Sequence, residues 1–150
     1  MKKLIFFFAF ALLLPVSFFA QSSDQVSKIL KSEILTYGEA SYLPALYANL
    51  ISENASETEA FAALQENEYF DSADDSGSLI SLSVLANIYM KTFGFKGGLF
   101  YTITKSPRYA FKEFKARGFL PVEADPDMLI TGRDAVDLFN SCLDVAEGDE

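Results

Sequence analysis

Cations and aromatic rings alternate along residues 91–117, where the chain concentrates the groups best suited to holding an anion. Seven basic residues (Lys91, Lys96, Lys105, Arg108, Lys112, Lys115 and Arg117) stand against one acid, Glu113. Phe93, Phe95, Phe100, Tyr101, Tyr109, Phe111 and Phe114 lie between them. Lysine and arginine bind phosphate or carboxylate groups, and exposed ring faces stack on sugars or pack on a protein partner. On a helix, Arg108, Lys112 and Lys115 recur at spacings of four and three and fall on one side. The expected binding set is therefore Arg108, Lys112 and Lys115 with Tyr101 and Tyr109. The competing expectation makes the rings core and the cations its solvated rim.

Other chemistry is thinly supported. The chain has no histidine, which removes the commonest general base, the usual nucleophile pairs and most zinc sites. Asp125 and Asp127 flank Pro126, and Asp134 and Asp137 share a helical face. Such carboxylate pairs suit glycoside hydrolysis. Nine acids crowd residues 118–150, however, so pairs arise there by chance. The chain is read as non-enzymatic, with no catalytic residue. The alternative is a cell-wall glycan hydrolase using Asp125, Asp127 or Asp134. A second alternative is a weak calcium module over Asp71 to Ser83, with oxygens from Asp74, Ser76 and Ser78 and a turn at Gly77. Its twelfth position is Ser83 rather than a bidentate Glu, so a solvated acidic loop fits better. No metal or cofactor is expected. The single cysteine, Cys142, cannot form an internal disulfide. Its neighbours Leu138, Phe139 and Leu143 mark it as a buried small side chain.

The N-terminus addresses the protein. Lys2 and Lys3 precede an unbroken apolar run, Leu4 to Leu14, that Pro15 ends and a polar stretch follows. That layout is a secretory signal peptide, too short in its apolar part to span a bilayer. Cleavage after Ser22 places Ala20 and Ser22 at the two small-residue positions. The expected organisation is a leader over 1–22, one helical domain over 23–146, and a flexible acidic tail over 147–150. The protein is expected to be bacterial and exported, periplasmic or extracellular, with no membrane span once the leader is gone. The net charge of −9 becomes −11 when Lys2 and Lys3 leave. So acidic a chain argues against nucleic acid. The expected partner is an anionic envelope glycan or another envelope protein.

Apolar periodicity and caps predict an all-α domain of five or six short helices. The first runs from about Asp24 to Thr36 and is stopped by Tyr37-Gly38. The second is capped near Ser41, which puts Pro44 in its first turn. Ser56 and Glu59 form a capping box for the third. Ser81 caps a fourth that ends at Gly94, and Ser106-Pro107 opens a fifth that ends at Gly118. Thr131 with Asp134 caps a sixth. Between the fourth and fifth, residues 98–103 are expected as a short strand or ordered loop.

Two stretches share one order. Glu68-Tyr69-Phe70, Ala73-Asp74-Asp75 and Leu79-Ile80-Ser81 correspond to Gly118-Phe119-Leu120, Ala124-Asp125-Pro126 and Leu129-Ile130-Thr131, with one residue gapped. This suggests two related helix–loop–helix units. The second copy, from Arg117-Gly118-Phe119-Leu120 to Ile130-Thr131-Gly132-Arg133-Asp134-Ala135, resembles an S-layer-homology module over about forty residues. The resemblance implies non-catalytic attachment to cell-wall polysaccharide or peptidoglycan. It adds Thr131 and Asp134 to the binding candidates, as the two positions that match by place and type. Gly132 stands where that family's arginine is expected, and the chain has no Trp.

Overall fold

A computed structural model of the protein describes residues 20–70 and 75–148. Most of the expected leader, Asp71 and Asp74 of the candidate calcium loop, and the last two residues of the tail lie outside the described residues. The fold is all-α, with seven helices among the described residues: α1 (Ala20–Lys31), α2 (Tyr37–Tyr47), α3 (Glu57–Glu66), α4 (Leu82–Thr92), α5 (Leu99–Thr104), α6 (Pro107–Ala116) and α7 (Gly132–Gly148). No described helix is long and apolar enough to cross a membrane.

Ser56, Ser81 and Ser106 stand at the N-cap positions of α3, α4 and α6 as expected, but only the Ser56 hydroxyl makes a capping bond; Ser81 Oγ pairs with Ser83 Oγ instead. The start of α2 does not follow expectation. Thr36 is its N-cap, with Thr36 and Glu39 forming a capping box, so the first helix ends at Lys31 and Tyr37-Gly38 opens a helix instead of stopping one. Ser41 is buried mid-helix, where its hydroxyl donates to the Tyr37 carbonyl at 2.6 Å. Pro44 sits inside the helix rather than in its first turn. Residues 99–104 are helix, not strand. The Gly98 N–H donates to Glu113 Oε1 of α6 at 2.8 Å, and the Lys105 N–H closes the turn on the Tyr101 carbonyl. Finally, α7 continues through Glu147 and Gly148, two residues into the expected tail.

The repeat is written in hydrogen bonds. Asp75 Oδ1 accepts the Gly77 N–H, and 50 residues on Asp125 Oδ1 accepts the Asp127 N–H, so the loops align without a gap. The Tyr37 and Gly38 N–H groups donate to the Ser78 and Ser76 carbonyls, as Leu82 and Ser83 do to Met128 and Pro126. Helices α2, α3, α4 and α6 end alike. Asn49, Glu68, Gly94 and Gly118 take positive φ, and the next N–H reaches back to the last turn. The buried set of α3, Ala60, Phe61 and Leu64, recurs as Ala110, Phe111 and Phe114 in α6.

The sequence suggests two units, and the structure holds a third. The extended segments before α2, α4 and α7 meet at one hub. Thr36 bridges Leu79, Ser81 bridges Leu129, and the Leu35 N–H donates to the Ile130 carbonyl. Helix α2 packs on α3, α4 on α6, and α7 on α1. The third pair is thus assembled from the two ends of the chain. Gly132 lets α1 approach, since a Cβ there would overlap the Ile29 carbonyl. The core beneath is continuous and aromatic, with Tyr89 and Phe139 edge to face at 5.4 Å and the Tyr89 hydroxyl donating to the Ala135 carbonyl.

Candidate functional site

Helix α6 brings Arg108, Lys112 and Lys115 into one groove of about 590 Å³, as their spacing predicts. Phe111 lines it from the same helix, Ser83 from the first turn of α4, and Pro126 and Asp127 from the opposite loop. Three cations therefore face a single acid. Pro107 at the first helical position and buried Phe111 and Phe114 fix the rotation of α6, which turns Arg108 and Lys112 outward.

The three cations are not equivalent. Arg108 makes no hydrogen bond or ion pair among the described residues. Lys112 rests its ammonium 5.1 Å from the centre of the Tyr109 ring. Lys115 is committed to structure: its Nζ donates to the Val122 carbonyl and, at 3.2 Å, to the Ala124 carbonyl, pinning the loop after α6. Arg108 and Lys112 are the pair open to a ligand.

The other candidates disperse. Tyr101 is only 2 % exposed and offers no stacking face, because α5 packs it inward against Gly97. Burial, and then the charge of Glu113, push its phenol up to about 12. Tyr109 is partly buried and already stacks on Phe100 with ring centres 5.4 Å apart. Thr131 and Asp134 cap α7: the Thr131 hydroxyl donates to Asp134 Oδ2 at 2.8 Å, and the Asp134 N–H donates to Thr131 Oγ1 at 3.1 Å. They line a separate groove of about 600 Å³ with Asp137 and the apolar Leu120, Met128 and Leu138. Asp125 serves its own loop turn through the Asp127 N–H. Among the described residues no three acidic or cysteine side chains cluster as metal ligands.

The sequence marks Asp127 only as half of a carboxylate pair and Ser83 only as the last position of a calcium loop, and it does not place either in this groove, which they reach from other elements. The repeat carries the signal that finds them, because the residues equivalent to Ser83 and Pro126, Gly38 and Ser76, are paired in the same way. The repeat also supplies an internal comparison. At the positions of Arg108, Lys112 and Lys115, α3 carries Thr58, Ala62 and Gln65. The same helix in the same setting folds without the cations, so two of the three are surplus to packing.

No protein-family model, no curated protein and no solved structure matches this chain.

Proposed function

We propose that this is a non-enzymatic, exported cell-envelope protein that holds an anionic group in the groove between α4, α6 and the loop at Pro126. The carrying observation is the pair Arg108 and Lys112, placed on a helix whose repeat counterpart manages with Thr58 and Ala62. An acidic envelope glycan suits the groove best, since Ser83 adds a hydroxyl and Phe111 an apolar edge beside the cations. The likeness to S-layer-homology modules supports the same reading through its implied attachment role.

The test is a pull-down of acidic envelope glycan by the purified protein and by Arg108→Glu/Lys112→Glu. Each exposed contact contributes roughly 0.2–1 kcal/mol, so the double reversal is needed to see a clear loss. Added salt weakens the native interaction as well. Lys115 stays untouched, because reversing it releases the Val122–Ala124 loop. Undiminished binding by a folded double variant rejects the groove. Turnover of peptidoglycan that disappears in Asp→Asn variants rejects the non-enzymatic reading.

A further inference from the structure

The second helix pair contains something the fold does not require. Ser81 follows Thr36 by 45 residues, whereas Ser106 follows Ser56 by 50, so five extra residues lie between α4 and α6. The longer connection makes room for α5, and α5 points large apolar side chains at solvent. Leu99 is 72 % exposed, Phe100 63 % and Ile103 70 %. The element is held firmly. Glu113 of α6 accepts the Gly98 N–H, and Tyr101 packs so close to Gly97 that a Cβ there would meet its ring at 2.5 Å. Phe100 stacks on Tyr109, and the hydroxyls of Thr102 and Thr104 bond to carbonyls of their own turn. A rigid mount for exposed Leu, Phe and Ile is the wrong design for a surface meant to stay in water.

Charge names the occupant. Lys105 caps the end of α5, Arg108 opens α6, and Lys112 lies against Tyr109, the ring on which Phe100 stacks. Of the two acids nearby, Glu113 is used on the Gly98 N–H, and Asp127 faces Arg108 and Lys112 from the opposite loop, so the cations still outnumber the free acid. An apolar tip with a cationic collar, on a protein of net charge −9, is a locally reversed surface. We propose that α5 docks this protein on an anionic phospholipid surface. Leu99, Phe100 and Ile103 enter the boundary between headgroups and acyl chains, and Lys105, Arg108 and Lys112 meet the lipid phosphates. Pairing with a second copy is disfavoured, because it would bring the two collars together. Three side chains also fall well short of the roughly 800 Å² per partner of a stable protein interface. Attachment this small is reversible and interfacial.

The test uses the chain without residues 1–22, which lacks only the first three residues of α1, once circular dichroism has checked that it is helical, with the full chain measured alongside. It has no Trp, so Phe100→Trp places a single reporter at the tip. With vesicles of phosphatidylglycerol, its emission shifts to the blue. With phosphatidylcholine vesicles, or at about 0.5 M salt, the shift is largely lost. Adding Leu99→Ser and Ile103→Ser lowers partitioning roughly tenfold or more. These two changes lie outside the groove, so glycan capture continues in the same variant, and either reading can fail without the other. Unshifted emission with excess anionic lipid overturns the proposal. So does equal binding to both lipids, or a shift that tracks protein concentration in the absence of lipid.

Discussion

Cys142 shows how one buried atom couples packing to pH. Its thiol is fully enclosed in the core, and burial pushes it up to about 12 from an ordinary 9.0, against an opposing pull from the Arg117 charge. For an acid raised in the folded state, unfolding releases a proton once the pH exceeds the unfolded value. The thiol's contribution to stability is therefore flat below about pH 8 and falls between about 9 and 12, by at most about 1.4 kcal/mol per pH unit. Tyr101, whose phenol burial also pushes up to about 12, adds to the fall above about pH 10. Urea unfolding at pH 8, 9.5 and 10.5 measures the slope, and Cys142→Ala makes it shallower. A thiol reagent at neutral pH reacts only after unfolding. Rapid labelling of the native protein contradicts the buried placement.

Helix starts carry the fold at the scale of elements. The Thr36–Glu39 box satisfies the first N–H groups of α2, and its segment also pairs across the hub with Leu79. Thr36→Ala should cost about 1 kcal/mol, the usual value of a lost cap, read from the urea midpoint. A cost within error would mean that the hub pairing alone sets the start of α2. The Ser56 box was plain in the sequence because nothing interrupts it, and the glycine stops at Gly94 and Gly118 were equally plain. The Thr36 box has the same spelling but was hidden by Tyr37-Gly38, which imitates a helix end, and by Pro44, which argues for a later start. Helix α5 was illegible for a different reason. Leu99 to Thr104 is rich in ring and β-branched residues that favour strands, and it becomes helix through contacts with Glu113 and Gly97. The cation spacing on α6 was readable as a local pattern. The inward turn of Tyr101 and the arrival of Ser83 were not, because both depend on distant elements.

For the whole molecule, the informative position is Gly132. It is buried, and its hydrogen atom occupies the space where any side chain would strike the Ile29 carbonyl. Its N–H donates to the Ser32 carbonyl at 2.9 Å. Together these contacts seat α1 on α7 and complete the third helix pair. Gly132→Ala should lower stability by about 1–3 kcal/mol, with α1 losing hydrogen-exchange protection first. Protection that falls evenly over all helices would mean that α1 is not a separable closing element.

A ring of three pairs has no privileged seam. Helix α7 followed by α1 repeats α2 followed by α3, so the gap between Gly148 and Ser23 corresponds to the nine residues, 48–56, that join α2 to α3. Circular permutation makes this concrete. Joining residue 148 to residue 23 through a Gly/Ser linker of similar length, with new termini opened near Glu53 and Asn54, converts the split pair into a continuous hairpin. The permutant should keep its helicity and its cooperative urea transition, and opening the exposed 52–54 turn breaks no element of the hub. A permutant that fails to fold would show that the third pair depends on its ends being separate. One that folds would mean that the order of the units along the chain is a matter of where it was cut.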